Sequence, residues 1–246
     1  MTHLINLKNI YKKFSKYKSI NLKEFFVTKR QPTYSKVNRE FALKDVSIAI
    51  NKGESVAILG HNGAGKSTLL SLICGLIDAN SGSSRINASL CSMLELTSGI
   101  NFELTGRENT FLYSSLLKIP LKEIKKNINK IINFSELGSA IDIPVRNYSA
   151  GMVARLAFSI LMTKRSDVMI IDEVFAVGDH SFKEKCRNFL INFLKKNGTL
   201  VMVTHDTSNV NLFCKRGIVL SQGELVFDGN IDDAVSFYKK SLEKKL

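Results

Sequence analysis

The sequence predicts an α/β protein whose parallel sheet carries a glycine-rich loop at one edge. Three short apolar runs, at residues 56–59, 168–171 and 199–203, have the composition of strands buried on both faces. A glycine-rich loop and a helix with apolar spacing follow the first run, acidic residues follow the second, and a histidine follows the third. Ligands of open α/β sheets bind outside the carboxyl ends of the strands, so we expect these loops to share one site.

Composition sets the outer limits of this prediction. The chain has 246 residues, of which 44% are hydrophobic and 23% charged, enough for one large domain with its own core. It contains no run of about 18 apolar residues that would predict a membrane span, and its start lacks the apolar stretch of a signal peptide. The four cysteines form no CxxC pair, which is typical of reduced thiols in a cytosolic protein.

Charge is distributed unevenly along the chain. The formal net charge is +13, and residues 1–40 hold ten Lys and Arg residues against Glu24 and Glu40 alone. The last eight residues are also basic. Such ends suit a polyanion, either nucleic acid or an anionic membrane surface. A general lysine enrichment of the source proteome is the alternative explanation.

The strongest signal is GHNGAGKS at residues 60–67, which fits G-x-x-x-x-G-K-[ST] between a predicted strand and a predicted helix. The glycines let backbone N–H groups surround a polyphosphate, and the helix start adds partial positive charge. Lys66 is expected to reach the β- and γ-phosphates, and Ser67 to hold Mg²⁺. We therefore predict ATP or GTP binding through Gly60, Asn62, Gly63, Ala64, Gly65, Lys66, Ser67 and Thr68.

The other two strand ends supply candidate catalytic groups. Asp172 is placed to hold Mg²⁺ through water, and Glu173 to polarise an attacking water. His205, just past the third strand, could contact the γ-phosphate. A plain acidic loop and a structural histidine are the alternatives, and the shared edge of the sheet favours the site.

A short turn, YSAGM at residues 148–152, completes a recognisable order of motifs. Alone, it reads as a helix cap at Ser149 followed by core packing. Together, however, a phosphate loop, Ser-x-Gly, Asp-Glu and His at these distances resemble the ATP-binding subunit of ABC transporters. The resemblance covers nearly the whole chain.

The resemblance implies ATP and Mg²⁺ as cofactors and a homodimer in which two copies pair head to tail. The signature turn of one copy, formed by Ser149, Ala150, Gly151 and Met152, then closes on the γ-phosphate held by the other. It also implies an α/β P-loop NTPase (RecA-like) core with an N-terminal antiparallel β part and a helical subdomain. Asp179 matches the family's D-loop aspartate.

Departures from the family pattern point to one branch. Ala150 and Met152 replace a glycine and a glutamine of the usual signature, and Glu95 stands where the Q-loop normally has glutamine. With LTGREN at residues 104–109, these features resemble ATPases that export capsule, O-antigen or teichoic acid. That branch implies separate transmembrane permease subunits and a peripheral place on the cytoplasmic face of the inner membrane, against its anionic surface. It implies no nucleic-acid partner.

Domain boundaries follow from the motifs and the helical spacing. We expect a single domain over residues 1–246, with a basic insertion at about 15–40. Its parts are an N-terminal β part (1–41), a core (42–94 and 161–225), a helical subdomain (95–160) and a basic C-terminal helix (226–246). A capping box at Ser181 and Glu184 predicts the start of one core helix.

Adenine recognition is left open by the sequence. The family stacks adenine on an aromatic residue of the N-terminal β part, and Phe14, Tyr34 and Phe41 are candidates, with Phe14 the best match to the motif. Residues 20–30 of the insertion have apolar residues at helical spacing and a basic face, so they could lie on an anionic leaflet or meet the permease. A solvated loop is the alternative.

Two other functions stay open at this point. One is a soluble, nucleic-acid-linked ATPase of the same superfamily, which the basic ends favour. The chain is too short for the coiled-coil insertion or second copy of such proteins, and it has no aromatic-interleaved basic groove. The other is an exporter of a drug or peptide.

Overall fold

A computed structural model confirms the predicted α/β fold and its N-terminal antiparallel part. It describes residues 3–14, 41–93, 96–172, 179–204, 207 and 210–243. Two sheets organise these residues. A three-stranded antiparallel sheet packs beside a six-stranded sheet that is parallel except at one edge.

The antiparallel sheet has the strand order β2-β1-β4. Its strands are β1 (His3–Lys13), β2 (Phe41–Asn51) and β4 (Ser81–Ile86). Alternate residues of β1 and β2 are buried, and Ile5 pairs with Ile50 while Leu7 pairs with Ile48. This period of two directs the apolar side chains of both strands to one face.

The larger sheet has the order β5-β6-β7-β3-β8-β9. Its strands are β3 (Ser55–Leu59), β5 (Leu90–Ser92), β6 (Val168–Asp172), β7 (Thr199–Thr204), β8 (Arg216–Ser221) and β9 (Glu224–Asn230). The first five strands in that order run parallel, and β9 returns antiparallel to β8. Gln222 (φ 50°) and Gly223 (φ 82°) form the tight turn between β8 and β9, the positive angles that a two-residue hairpin requires.

Helices cover the sheet from both sides. They are α1 (Lys66–Ile73), α2 (Gly106–Leu116), α3 (Leu121–Ser135), α4 (Ala150–Leu161), α5 (His180–Lys195) and α6 (Ile231–Glu243). Strand β3 divides the core, because Val56 and Ile58 pack with α1 and the antiparallel sheet, whereas Ala57 and Leu59 pack with α4 and α5. Buried residues on both faces explain the continuous apolar run of this strand.

Two boundaries differ from those expected. Residues 41–51 and 81–86 belong to the antiparallel sheet, although the sequence assigned nearly all of them to the core, because their partner strand is β1. Residues 226–230 belong to β9 and not to the C-terminal helix, which begins at Ile231. Pairing with β8 decides that assignment.

The start of α5 also differs from the capping-box prediction. Asp179, not Ser181, is the N-cap, and its carboxylate accepts a hydrogen bond from the Phe182 amide at 3.0 Å. Ser181 donates its hydroxyl to the same carboxylate at 2.9 Å. Glu184 is therefore free of the capping role and pairs with Arg187 at 3.3 Å.

The cysteines agree with the predicted reduced, packed thiols. All four are free, and burial raises the pKa of Cys91 to about 11 and that of Cys214 to about 12. These thiols stay protonated at neutral pH. Within the described ranges, none of the helices combines the length and the apolar character needed to cross a bilayer.

Candidate active site

Three parallel strands end together at the edge that carries the candidate site. Leu59 of β3 pairs with Thr204 of β7, and Asp172 of β6 pairs with Val203 of the same strand. The phosphate loop and the acidic segment therefore leave the sheet at nearly the same level, with β7 between them. Only the backbone of Asp172 is described, and Glu173 and His205 lie outside the described residues.

Backbone contacts hold the phosphate loop against its neighbours. Gly65 has φ 105°, and a side chain there would meet the Ala42 carbonyl oxygen at 2.6 Å. Gly223 donates its amide to the Ala64 carbonyl at 3.0 Å, and its own carbonyl accepts the Lys44 amide at 2.7 Å. Strand β2, through Ala42, and the β8–β9 turn, through Gly223, thus hold the loop from two sides.

The loop and α1 present groups that suit a polyphosphate. The Lys66 ammonium curls over the loop and donates to the Gly60 carbonyl at 2.5 Å and the His61 carbonyl at 3.1 Å. Gly65 is the N-cap of α1 and has no side chain to occupy the amides of the first turn, where no acidic residue lies. Uncapped amides and the helix dipole attract anions.

Magnesium fits the donors at this edge. The Ser67 hydroxyl is exposed in the first turn of α1, and β6 delivers Asp172 two strands away. The described residues contain no cluster of three potential His, Cys, Asp or Glu ligands. Magnesium needs none, since it is typically held by one or two protein oxygens together with substrate phosphates and water.

The structure confirms the helix-cap interpretation of the signature turn. Ser149 is the N-cap of α4, and its hydroxyl accepts the Met152 amide at 3.2 Å. Ser149 and Ala150 are nevertheless exposed. Among the residues that the structure describes, a side chain at Gly151 would meet only the Ser149 hydroxyl, at 3.8 Å, so their packing does not require glycine there. Glycine inside a helix costs about 1 kcal/mol relative to alanine.

The LTGREN segment supports this turn, a role that the sequence did not reveal. Its Leu104 carbonyl accepts the Val145 amide at 2.9 Å, just before the turn. The buried Asn109 side chain accepts the Asn101 amide at 2.7 Å and donates to the Leu104 carbonyl at 3.2 Å. Thr105 and Glu108 form a capping box at the start of α2. The T-x-x-E spacing of this capping box is the sequence feature that could have identified the start of α2.

The sequence motifs also did not indicate a role for Arg155. It lies on α4 beyond the signature turn and donates to Asp179 at 2.6 Å and to Glu136 at 2.9 Å. The Phe182 amide, the Ser181 hydroxyl and then Arg155 together lower the pKa of Asp179 below its ordinary value. The predicted D-loop aspartate is therefore a helix cap and an ion-pair partner in this structure.

The two described adenine candidates lie at the same end of the antiparallel sheet. Phe14 follows β1 and is 48% exposed, with the Lys12 ammonium 5.3 Å from its ring centre. Phe41 begins β2, packs edge-on against Tyr11 at 5.9 Å, and precedes Ala42, which touches the phosphate loop. Tyr34 lies outside the described residues, as do Glu95 and the insertion at 15–40.

Comparisons with known proteins agree with this geometry. Residues 43–176 match the sequence profile of the family described as ABC transporter. The "O-antigen export system ATP-binding protein RfbB" of Klebsiella pneumoniae is 40% identical over 245 residues, covering 98% of this chain and 100% of the relative. The "Teichoic acids export ATP-binding protein TagH" of Staphylococcus haemolyticus is 35% identical, covering 99% of this chain and 90% of the relative.

A solved structure shows the same fold. It is a dimeric, post-hydrolysis state of the ATP-binding cassette MJ0796 bound to ADP and phosphate. Its TM-score is 0.72 at 23% identity, and the match covers 92% of this chain and 98% of that chain.

Two glycine substitutions test whether a methyl group can be accommodated near the signature turn. In Gly106→Ala, the new methyl group would lie 2.4 Å from the Tyr148 hydroxyl, so we expect a loss of about 1–3 kcal/mol in unfolding free energy from overpacking. Gly151→Ala meets no such contact within the described part of the chain, and we expect unchanged stability or a gain of up to about 1 kcal/mol. Urea unfolding of both variants measures this, and equal destabilisation would contradict the assignment.

Proposed function

This chain belongs to the ABC transporter family as an ATP-hydrolysing subunit, and on that premise we propose that it powers export of a lipid-linked cell-surface polysaccharide. The supporting observation is its similarity, along both full lengths, to an ATP-binding protein of an O-antigen export system. Other relatives are named as ATP-binding proteins for the export of teichoic acids. O-antigen and teichoic acid are both long polymers of the cell surface.

The proposed roles at the nucleotide edge follow from donor chemistry. Lys66 and the amides of the phosphate loop bind the β- and γ-phosphates of ATP. Ser67 and Asp172 hold Mg²⁺, which when bound neutralises charge that develops on the phosphates. Glu173 orients and deprotonates the attacking water, and His205 contacts the γ-phosphate. Phe14 is the proposed adenine-stacking residue, and Glu95 the proposed Q-loop equivalent.

A second copy of the chain completes the proposed site. Gly151 carries the energetic cost of glycine in a helix, and no described residue of the chain packs closely enough to require glycine there. A close approach from outside provides that reason, because a glycine amide at a helix start can bind a phosphate oxygen directly. We therefore place the signature turn of one copy against the γ-phosphate of the other, as in a head-to-tail homodimer.

Exposed apolar side chains on α2 offer a surface to a separate permease subunit. Leu112 and Leu116 are exposed and lie four residues apart, hence on one helix face. Leu116 lies close to Gly99, in the loop that follows Glu95. Phe102, also exposed, belongs to the same loop. A permease that docks here touches both the loop after Glu95 and the subdomain that carries the signature turn.

Basic clefts support attachment to an anionic membrane surface. A cleft of about 670 Å³ beside α3 contains a single carboxylate, that of Glu123, and its cations are Lys122, Lys126, Lys130, Arg165 and Lys196. Among the described residues, none of these five cations has an ion-pair partner. Each lysine near an anionic leaflet contributes about 1 kcal/mol of binding.

The position of these clefts is compatible with dimer formation. An adjoining cleft of about 560 Å³ includes Lys52, Asp167 and Gly198, which lie just before β3, β6 and β7. It therefore opens at the amino ends of the parallel strands, opposite the phosphate loop. Lipid phosphates at this edge leave the nucleotide edge available to the second copy. The peripheral location and a similar role for the basic insertion at 15–40 remain part of the proposal.

Turnover and export depend on the same carboxylate in this proposal. Glu173→Gln should bind ATP like the wild type and lose about 10²–10⁴-fold in hydrolysis, because a carboxamide cannot act as a general base. With the cognate permease in proteoliposomes, ATP-dependent movement of the lipid-linked polymer should stop as well. A variant that retains half the wild-type rate excludes Glu173 as the base. Movement of a drug or peptide but not of the polymer would overturn the proposed substrate.

The head-to-tail homodimer predicts that Ser149 and Lys66 act on the same ATP from different subunits. Ser149→Arg and Lys66→Ala should each abolish hydrolysis in the homodimer. Their mixed dimer should contain one intact composite site, and it should bind and trap nucleotide at that site alone. Normal hydrolysis by Ser149→Arg at all protein concentrations would contradict the shared site.

Membrane attachment through the basic cleft predicts a charge-specific loss. Lys122→Gln/Lys126→Gln/Lys130→Gln should bind phosphatidylglycerol vesicles about 100-fold more weakly, from about 1 kcal/mol per lysine. The control Lys8→Gln/Lys183→Gln/Lys215→Gln removes the same charge from other exposed positions. Co-sedimentation with phosphatidylglycerol and phosphatidylcholine vesicles measures both. Equal loss in the two variants, or tighter binding to DNA than to vesicles, would argue against the membrane assignment.

A further inference from the structure

One guanidinium group joins three helices beside the signature turn. Arg155 of α4 donates to Glu136 at 2.9 Å and to Asp179 at 2.6 Å, and its side chain is only 17% exposed. The guanidinium carbon also lies 5.2 Å from the ring centre of Phe182. Partial burial and an aromatic face reduce competition from water at this pair of bonds.

The two acidic partners occupy the ends of separate helices. Glu136 follows α3 and takes a left-handed backbone conformation (φ 57°) as its C-cap. Asp179 is the N-cap of α5 in the core. Arg155 therefore ties the helix of the signature turn both to its own subdomain and to the core. The tie ends at Asp179, the residue that closes the segment begun at Asp172 and Glu173.

Neither carboxylate needs Arg155 in order to be satisfied. Asp179 already accepts the Phe182 amide at 3.0 Å and the Ser181 hydroxyl at 2.9 Å. Glu136 also contacts the Lys185 ammonium. The caps of α3 and α5 can form without the arginine. Its two bonds therefore add a directional link between three helices that Phe134, Phe158 and Phe182 also join by aromatic contacts.

We propose that Arg155 is a positioning residue that fixes the signature turn relative to the core of the same chain, at the start of α5. The turn and Arg155 lie on one helix, so a rotation of α4 moves both. A planar guanidinium can meet two carboxylates at once, and an ammonium group cannot reproduce that fork. The inference rests on the proposed function, because the turn matters only if it meets ATP on a second copy.

Three substitutions test this role in the full-length protein. Arg155→Gln removes both bonds, Arg155→Lys keeps the charge without the fork, and Asp179→Asn keeps a good N-cap while removing the ionic bond. All three should bind ATP as the wild type does, with kcat lower by about 10–100-fold, the loss expected from a small displacement of a catalytic group. Arg187→Gln is the matched control, since Arg187 pairs with Glu184 within α5 alone. It should keep the wild-type kcat.

Several outcomes would overturn the inference. Wild-type kcat in Arg155→Lys would show that the fork has no role. Loss of ATP affinity together with kcat in Arg155→Lys and Asp179→Asn would show a general structural role instead. Thermal unfolding identifies a variant that fails to fold, and Asp179→Asn then decides, because it retains the helix cap.

Mixed dimers separate this inference from the proposed function. When mixed with Lys66→Ala, Arg155→Gln should recover hydrolysis to the same extent as Ser149→Arg does. In both mixtures, the intact phosphate loop of one copy then meets the intact signature turn of the Lys66→Ala copy. Recovery with Ser149→Arg alone overturns the role of Arg155. If neither mixture recovers hydrolysis, Arg155→Lys decides between the two outcomes. A lower kcat with unchanged ATP affinity supports the positioning role, and a loss of both overturns it. Full activity of Ser149→Arg by itself would instead remove the shared site, whatever Arg155 does.

Discussion

The close backbone contact between the phosphate loop and strand β2 is the constraint on which the nucleotide edge depends. At Gly65, a side chain would meet the Ala42 carbonyl oxygen at 2.6 Å, and the backbone angle φ of 105° is unfavourable for other residues. The hydrogen bonds of Gly223 to the loop and to Lys44 add a second support. The loop conformation is thus supported by two neighbouring segments of the chain.

This constraint gives the antiparallel sheet a direct role in the site. Strand β2 carries Ala42 at the phosphate loop and Phe41 beside it, while its later residues pack into the core with α1. The opposite face of the parallel sheet holds α4 and α5. Phosphate binding and the signature turn are therefore supported by different cores on the two faces of one sheet, which lets each be stabilised independently.

Polar contacts connect the two halves of the proposed site inside the chain, in addition to the apolar core that α4 and α5 share with the sheet. Asn109 and the carbonyls near it hold the segment before the signature turn. Arg155 then joins the helix of that turn to the cap of α5. Such charge-assisted bonds are directional, so they specify orientation where apolar contacts mainly supply stability. A site assembled from two copies of a chain needs that orientation, because each copy must present its turn at a defined angle.

The sequence by itself determined the local parts of this protein. A nucleotide site is predicted by the GHNGAGKS motif between an apolar strand and a helix, and by the acidic residues after β6. The order of these motifs along the chain adds to that prediction. Glycine conformation and apolar spacing are local properties that a sequence shows directly. Tertiary structure alone decided which distant segments meet. Strand β4 pairs with β1 across seventy or more residues of sequence, Asp179 replaces Ser181 as the cap, and Arg155 contacts Glu136 and Asp179 at the ends of two other helices. Lysines from three separate segments likewise gather around Arg165. These contacts depend on how whole elements pack, and no local pattern in the chain encodes the distance between them.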